Sequence, residues 1–158
     1  MFMKGISNLS ANKWYKRYLN LAKEVSTWSK DPNTKVGAVV VGSKGQILSQ
    51  GYNGFPRGIA DTPKRLNDRD MKLAYVVHAE MNAIYNATYS GVSLDKATIF
   101  IYGLPACSEC AKGIIQVGIK KVVVSKECIE QRPHWNDSWK KSVAMFAEAG
   151  IAVFVINE

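Results

Sequence analysis

The first strongly patterned segment of the chain is amphipathic. Across residues 13–29, tyrosine, tryptophan, leucine and valine recur at three- and four-residue steps, with basic residues between them. This spacing places the apolar side chains on one face of an α-helix. Asp31-Pro32 follows, and because proline disfavours helical geometry in the residue before it, we expect the helix to end there.

Two β-type segments come next. Residues 36–41 form a run of β-branched and small apolar side chains, and residues 46–51 continue after the turn Gly42-Ser-Lys-Gly45. Together they predict a β-hairpin that opens a sheet. Residues 51–64 hold four glycines or prolines in their first eight positions, which predicts a loop. An ordered loop of this length in a compact domain is usually functional.

Helical and strand patterns then alternate to the end of the chain. We predict helices at 79–89, 108–117 and 137–148, and strands at 98–102, 121–124 and 151–156. Strands separated by helices imply right-handed crossovers, with helices on both faces of one sheet. The predicted fold is therefore α/β, a three-layer α/β/α sandwich. Its five-stranded mixed sheet has the antiparallel hairpin at one side and parallel strands beyond it.

Composition limits the domain count and the compartment. A chain of 158 residues, 47% of them hydrophobic, fits one globular domain over residues 1–158. The net charge of +8 favours acidic partners but does not distinguish nucleotide phosphates from nucleic acid or an anionic surface. No apolar run approaches the roughly 20 residues needed to cross a bilayer, and residues 1–12 lack the apolar core of a signal peptide. We expect a cytoplasmic protein with no membrane partner.

The candidate chemistry lies in two short motifs, His78-Ala-Glu80 and Cys107-Ser-Glu-Cys110. Residues 107 and 110 are three apart, so at the start of a helix both sulfurs project to one side and can bind one metal ion at about 2.3 Å. The histidine and glutamate are two apart, a spacing that would point them in different directions inside a helix. We therefore expect His78 at the very first turn, with Glu80 leaning over the metal without binding it.

These residue types favour a catalytic zinc. Two thiolates and a neutral imidazole cancel the charge of Zn²⁺ and leave its fourth position open for water, which the metal acidifies. Glu80 can take a proton from that water during attack on a ring carbon, then deliver protons to the ring nitrogen and the leaving ammonia. The spacing matches the signature of zinc-dependent nucleobase deaminases. The alternatives are a thiol redox pair, or a structural zinc that takes Cys128 or His134 as its fourth ligand.

Four segments resemble the deoxycytidylate (dCMP) deaminase family, in the same order over residues 29–119. They are Ser29-Lys-Asp-Pro-Asn-Thr-Lys-Val-Gly37, Gly51-Tyr-Asn-Gly-Phe-Pro-Arg-Gly58, Val77-His-Ala-Glu-Met-Asn-Ala-Ile84 and Cys107-Ser-Glu-Cys-Ala-Lys-Gly-Ile-Ile-Gln-Val-Gly-Ile119. The resemblance implies a cytidine deaminase-like fold and hydrolysis of dCMP to dUMP and ammonia, which supplies thymidylate synthesis. It implies that His78, Cys107 and Cys110 bind one catalytic zinc per subunit and that Glu80 shuttles protons.

The same resemblance implies regulation and assembly. It implies a homohexamer that dCTP activates and dTTP inhibits, with the triphosphate bound together with Mg²⁺. The regulatory site is expected partly in the loop Gly51-Tyr52-Asn53-Gly54 and at Arg57. The two glycines are expected first to permit unusual backbone conformations. Arg57 either contacts phosphate or is solvated.

Two residues are candidates for binding the substrate. Asn53 has amide donors and an acceptor suited to a sugar hydroxyl or a base edge, although Asn is also a common turn residue. Arg132 follows a predicted strand, where the carboxyl end of a sheet commonly meets ligand, and we hypothesise that it reads the 5′-phosphate. Trp135 and Trp139 either stack on a base or pack the start of the last helix. Ala106 stands where the family usually has proline, which places the loop geometry before Cys107 in question.

Two other functions remain open. One is a deaminase of adenosine or cytidine within RNA such as tRNA, for which the net charge of +8 would supply phosphate affinity. The loop 51–58 favours a pocket closed around a mononucleotide, so a nucleic-acid partner is not expected. The other is a catalytically inactive zinc-binding regulator. Glu80 argues against that function because it has no role as a ligand in a purely structural site.

Overall fold

The computed structural model describes residues 6–8 and 12–157 and contains a six-stranded mixed sheet. The strands are β1 (Ile6–Asn8), β2 (Gly37–Val41), β3 (Ile47–Tyr52), β4 (Thr98–Tyr102), β5 (Lys121–Ser125) and β6 (Ala152–Ile156). They are arranged in the order β1-β6-β5-β4-β2-β3. Strand β2 pairs antiparallel with β3 and β4, whereas β4, β5, β6 and β1 pair in parallel.

Helices cover both faces of this sheet. They are α1 (Lys13–Ser26), α2 (Pro63–Asn67), α3 (Arg69–Tyr75), α4 (Ala79–Tyr89), α5 (Ser108–Gln116), α6 (Lys126–Glu130) and α7 (Asn136–Glu148), with a 3₁₀ helix at Pro133–Trp135. Helix α1 packs on one face, and α4, α5 and α7 pack on the other. The predicted three-layer sandwich is therefore confirmed. Among the described residues, no helix has the length and apolar character needed to cross a membrane.

Each face of the sheet contributes to its own apolar core. Successive residues of a strand point to opposite faces, so Ile99 packs with α4, α5 and α7 while Phe100 packs with α1. Every residue of β2 is buried, as are Val122, Val123 and Val124 of β5. The central strands are thus covered on both sides, which explains why their sequences are continuous apolar runs rather than alternating ones.

The five predicted strands are present, and the hairpin lies at one side of the sheet as expected. Strand β1 was not predicted because it has three residues and lies in a segment without apolar periodicity. Helix α1 ends at Ser26 rather than at residue 29. The hydroxyl groups of Ser26 and Thr27 donate to the carbonyls of Lys23 and Glu24, which is typical of a helix end.

The predicted loop is shorter than expected because residue 63 begins α2. The Thr62 side chain caps α2 by accepting a hydrogen bond from the Arg65 amide, and Pro63 occupies the first turn. The Asp68 side chain caps α3 in the same way. Both helices lack a long apolar stripe and were therefore missed, although Thr62-Pro63 and Asp68 are cap signals visible in the sequence. The short helix α6 was missed for the same reason.

Candidate active site

His78 and Glu80 lie at the beginning of α4. His78 is the N-cap residue, with extended backbone angles of φ −66° and ψ 153°, and Glu80 is in the first helical turn. The placement expected from their two-residue spacing is confirmed. Val77, which precedes His78, forms an antiparallel β-bridge with Gly54. The two residues exchange backbone hydrogen bonds of 2.8 and 3.1 Å.

Helix α4 is held closely against β3. The Asn82 and Asn86 amides donate to the carbonyls of Tyr52 and Gln50 at 2.8 and 2.7 Å. At Gly51 a Cβ atom would lie 2.3 Å from the Ala83 amide nitrogen, so only glycine fits. The expected conformational role of Gly51 and Gly54 is wrong, because neither has a positive φ. The role of Gly51 is to let the strand approach the helix that carries His78.

The two cysteines lie at the beginning of α5. Cys107 is the N-cap residue, and its sulfur accepts a hydrogen bond from the Cys110 amide at 3.4 Å. Gly103, between β4 and this helix, has φ +107°, and a Cβ there would lie 2.3 Å from the Lys35 carbonyl oxygen. The chain therefore turns sharply at glycine before it presents the two sulfurs.

Side chains from the end of the chain hold the segment before α5. The Trp135 indole donates to the Pro105 carbonyl at 2.9 Å, and the Ser142 hydroxyl donates to the Ala106 carbonyl at 2.8 Å. The Ser138 hydroxyl accepts from the Ser108 amide at 2.9 Å. Ala106 is fully buried, so its presence in place of proline leaves the segment well fixed.

The three candidate ligands converge. One donor atom from each of His78, Cys107 and Cys110 lies within 4.8 Å of the others, and no other such group occurs among residues 6–8 and 12–157. His78 Nδ1 is 3.4 Å from each sulfur. Tetrahedral zinc with bonds of about 2.3 Å to sulfur and about 2.0 Å to nitrogen separates such atoms by about 3.5 Å. The donor set therefore fits zinc in both chemistry and spacing.

The alternative fourth ligands do not join this group. The Cys128 sulfur accepts a hydrogen bond from the Gly103 amide at 3.2 Å and lies outside the cluster. His134 lines the neighbouring cavity but is also outside the cluster. Three protein ligands leave one position of a tetrahedral zinc open, which is the arrangement of catalytic rather than structural sites.

Hydrogen bonds among the two thiols and the imidazole shift their pKa values. Hydrogen bonding with Cys110 lowers the pKa of Cys107 to about 4, and the same bond raises the pKa of Cys110. Hydrogen bonding to Cys107 raises the pKa of His78. A divalent metal would take the place of these shared protons, which is why metal binding at such sites releases protons.

Glu80 is buried beside this cluster and does not belong to it. The side chain lines the cavity, and the residue is 3% exposed. Burial raises the pKa of its carboxyl group because the charged form loses hydration. A raised pKa makes the carboxylate a better proton acceptor, which favours a role in general acid–base catalysis.

A cavity of about 330 Å³ opens over His78 and Glu80. Its apolar wall includes Val36, Leu104 and Trp135, so Trp135 both borders the cavity and holds the cysteine segment. Trp139, in contrast, is 1% exposed and packs in the core, as the packing alternative predicts. The volume lies at the lower end of the range of small-ligand sites.

Three cationic side chains line the same cavity, namely Arg69, Lys72 and Arg132. Arg132 was nominated from the sequence, and the structure places it at the cavity wall. Lys72 and Arg69 were missed because α3 was not predicted. Lys72 is buried at 9% exposure, and its ammonium group pairs with Asp31 at 3.3 Å. Asp31 also accepts the amides of Asn33 and Thr34 at 2.8 and 3.1 Å.

Asn53 lies in the cavity wall, but its side chain is largely used by the protein. The amide oxygen accepts from the Val36 amide at 2.8 Å, and the amide nitrogen donates to the Thr34 carbonyl at 2.9 Å. The Ser29 hydroxyl donates to the Asn53 carbonyl at 2.8 Å. Asn53 therefore fastens the 34–36 segment to the loop, and one N–H of its amide remains for a ligand.

Tyr52 and Arg57, which were also nominated for effector binding, do not line the cavity. Tyr52 is 40% exposed and packs edge-on against Trp28, with ring centroids 6.1 Å apart. Arg57 hydrogen-bonds Asn86 on α4 and lies 5.3 Å from the centre of the Tyr89 ring. Arg57 therefore does not line the cavity described above. The loop has an inner side, at Asn53, and an outer side, at Tyr52 and Arg57.

Comparisons with known proteins cover nearly the whole chain. The model of the cytidine and deoxycytidylate deaminase zinc-binding region matches residues 12–126. An uncharacterized deaminase of Aliivibrio fischeri is 37% identical over 142 residues, which cover 90% of this chain and 92% of that protein. Human deoxycytidylate deaminase is 38% identical over 144 residues, which cover 88% of this chain and 77% of the human one.

A solved structure shares the fold. The dCMP deaminase of cyanophage S-TIM5, crystallised in complex with dCMP and dUMP, aligns with a TM-score of 0.70 at 25% sequence identity. The alignment covers 93% of this chain and 99% of the phage enzyme. The match to the family model and the identity to the human enzyme agree with the geometry of the His78, Cys107 and Cys110 cluster. The chain belongs to the cytidine and deoxycytidylate deaminase family.

Proposed function

We propose that this protein removes the amino group of dCMP by hydrolysis, forming dUMP and ammonia. The observation that carries the proposal is the buried carboxyl group of Glu80 beside the His78, Cys107 and Cys110 cluster, in a cavity with three cations. Relatives named deoxycytidylate deaminase, one of them solved with dCMP and dUMP, support dCMP as the substrate. The product dUMP would supply thymidylate synthesis.

We assign the metal ligands to His78 Nδ1 and the sulfurs of Cys107 and Cys110, with one zinc ion per chain. Zinc in such a site acidifies a water molecule toward neutral pH, so that it can act as a nucleophile. The protein's contribution is to place the three donors at two helix starts and to leave one side of the cluster open toward the cavity.

Glu80 is the proposed proton carrier. Its carboxylate accepts a proton from the attacking water and passes it to the ring nitrogen. It then accepts the remaining proton of the hydroxyl group added to the ring carbon and passes it to the amino group, which leaves as ammonia. Burial supports this role because it raises the pKa of the carboxyl group, and perturbed pKa values of this kind concentrate at catalytic sites. The neighbouring apolar wall lowers the local polarity, which strengthens electrostatic interactions beside it.

We propose that the 5′-phosphate is bound by Arg132 together with Lys72 and Arg69. The guanidinium groups offer forked donors to phosphate oxygens, and Lys72 adds a point charge whose position is set by Asp31. A single cluster of cations beside a small cavity suits one phosphate. A nucleic-acid substrate would need an extended basic track leading to the site. Asn53 can add one N–H donor to the sugar or the base.

Regulation by dCTP and dTTP, with Mg²⁺ on the triphosphate, is part of the proposal and rests on the family resemblance. The outer side of the loop, at Tyr52 and Arg57, is exposed and can meet an effector or another subunit of a homohexamer. Gly51 and Gly54 would act indirectly, because they connect this loop to α4 and to the residue before His78. The cytoplasm is the proposed location.

Ammonia release from dCMP, CMP, deoxycytidine, dCTP and a short RNA tests these assignments. We expect dCMP to be hydrolysed with the highest kcat/KM, and deoxycytidine to be poor because it lacks the phosphate. Equal efficiency on deoxycytidine would reject the phosphate assignment, and preference for RNA would reject the mononucleotide substrate. The same assay with dCTP and dTTP tests regulation. Insensitivity to both would remove that part of the proposal.

A further inference from the structure

A second cleft lies at the end of the sheet opposite to Glu80. It is bounded by the first turn of α1, by the β2–β3 turn and by the first residues of β4 and β5, and it has a volume of about 570 Å³. Val41, Thr98 and Lys121 lie beside one another in the sheet at this end. The cysteine segment follows the other end of β4, so the two clefts are separated by the length of the strands.

Three lysines from three separate turns line this cleft. Lys44 belongs to the β2–β3 turn, Lys96 precedes β4, and Lys121 begins β5. All three are exposed, and none pairs with a carboxylate in the part of the chain that the structure describes. Their ammonium groups are therefore available to an anion.

Lys96 has an unusual backbone conformation. Its φ is +61°, and it is the one non-glycine residue with positive φ among residues 6–8 and 12–157. The backbone is held there by hydrogen bonds from the Lys96 amide to the Gly118 carbonyl, at 2.8 Å, and from the Lys120 amide to the Ala97 carbonyl, at 2.9 Å. This backbone conformation favours glycine or asparagine, but here the residue is a lysine. Non-glycine residues in such conformations are found more often at ligand sites.

The wall of the cleft opposite these lysines is aromatic. The rings of Tyr18 and Phe100 lie 5.1 Å apart, and Trp14 stacks near Tyr18 at 6.2 Å. The Tyr18 hydroxyl donates to the Gly45 carbonyl at 2.7 Å, which fixes the β2–β3 turn against α1. Trp14 is half exposed, and Arg17 lies over its ring at 4.7 Å. Lys13 also lies 5.9 Å from the centre of the Trp14 ring, so the aromatic wall is flanked by further positive charge.

We infer that this cleft binds a nucleoside 5′-polyphosphate. The base lies against the aromatic wall at Trp14, and the phosphates lie among Lys44, Lys96 and Lys121. Aromatic contact with a base and charge-assisted hydrogen bonds to phosphate are complementary recognition elements. The cleft volume suits a single nucleotide, whereas a nucleic-acid strand would need a continuing series of rings and cations.

ATP is the probe for this site, since its purine is larger than the pyrimidine assigned to the active site. Calorimetric titration should show ATP binding at least about tenfold tighter than either tripolyphosphate or adenosine, because each of these lacks one recognition element. ATP should also protect Lys44, Lys96 and Lys121 from acetylation in a mass-spectrometric footprint. Equal binding of tripolyphosphate, or no protection of these lysines, would overturn the inference. Tighter binding of a twelve-nucleotide RNA would reassign the cleft to nucleic acid.

Two matched variants distinguish binding in this cleft from nonspecific attraction of ATP to a positively charged protein. A triple variant, Lys44→Gln with Lys96→Asn and Lys121→Gln, should lose at least about tenfold in ATP affinity while its dCMP hydrolysis without effectors is unchanged. A control variant with Lys112→Gln, Lys126→Gln and Lys141→Gln has the same net charge and should bind ATP normally. Equal affinities of the two triple variants would refute the site.

Lys96→Asn alone is the sharpest variant. Asparagine tolerates left-handed backbone geometry, so the melting temperature should stay the same or rise while ATP affinity falls several-fold. Unchanged affinity would remove Lys96 from the site.

Discussion

A buried lysine–aspartate pair lies at one end of the sheet, whereas three exposed lysines at the other end have no ion pair among the described residues. At the active-site end, Lys72 and Asp31 pair at 3.3 Å and both are nearly excluded from solvent. At the opposite end, Lys44, Lys96 and Lys121 have no carboxylate partner among the described residues. A buried ion pair fixes the positions of its two side chains, but both charges lose hydration. Exposed cations attract anions from solution, and dissolved salt weakens that attraction.

Removal of a metal ligand should have the largest effect on the active-site end. Cys107→Ser replaces a thiolate by a weak ligand, so we expect less than one zinc per chain and loss of ammonia release to background. Elemental analysis and the ammonia assay measure both quantities. Cys128→Ser is the matched control, because that sulfur lies outside the cluster and the variant should retain zinc. Full zinc content in Cys107→Ser would contradict the ligand assignment.

Glu80→Gln should slow the reaction without affecting metal binding. The amide keeps the size of the side chain but cannot carry a proton, so kcat should fall by about 10³-fold while zinc content and melting temperature are preserved. Single-turnover ammonia release with zinc analysis checks this expectation. Retention of full activity would overturn the mechanism and favour a role for Glu80 in structure alone.

Lys72→Met should break the buried pair at the active-site end. The change leaves the Asp31 carboxylate without its cation, so we expect a loss of about 3 kcal/mol in the free energy of unfolding. We also expect the KM for dCMP to rise at least about tenfold with little change for deoxycytidine. Urea unfolding and steady-state kinetics measure the two effects.

The controls for Lys72→Met are one exposed and one double variant. Lys64→Met, on α2, removes an exposed lysine and should change neither quantity. Asp31→Asn combined with Lys72→Met should regain part of the lost stability without restoring dCMP affinity. Equal loss of activity on dCMP and deoxycytidine would show that Lys72 supports the fold and does not read the phosphate.

Salt should produce the smallest and most discriminating effect. Raising NaCl from about 50 to about 300 mM should weaken ATP binding at the exposed lysines about tenfold, while the KM for dCMP changes less than about threefold. Titration of both ligands in the same buffers measures the difference. Equal salt dependence at the two ends would mean that burial of Lys72 does not protect the active-site charges from screening.

The cluster of candidate metal ligands was predictable because its geometry is local. The spacing of His78 and Glu80 required a helix start, and the three-residue spacing of Cys107 and Cys110 required another. Alternation of strands and helices then brought both starts to one end of the sheet. The expected strand bounds at 98–102 and helix bounds at 79–89 agree with the structure.

The cationic side of the candidate active site was only partly predictable. Lys72 and Asp31 are 41 residues apart in the sequence, and no periodic pattern connects them. Helix α3, which carries Lys72, is short and is defined by the cap at Asp68 rather than by an apolar stripe. Asn53, nominated from the sequence, lies in the cavity wall. Its hydrogen bonds to the 34–36 segment depend on tertiary contacts that residue type alone does not reveal.

The hydrogen bonds from Trp135, Ser138 and Ser142 to residues 105–108 have a consequence for metal exchange. Because the C-terminal part of the chain holds the cysteine segment in place, the ion does not have to organise its own binding site. Cobalt(II) should therefore replace zinc with little change in melting temperature. Its visible absorption bands would then give an optical readout of the open coordination position while nucleotides are added.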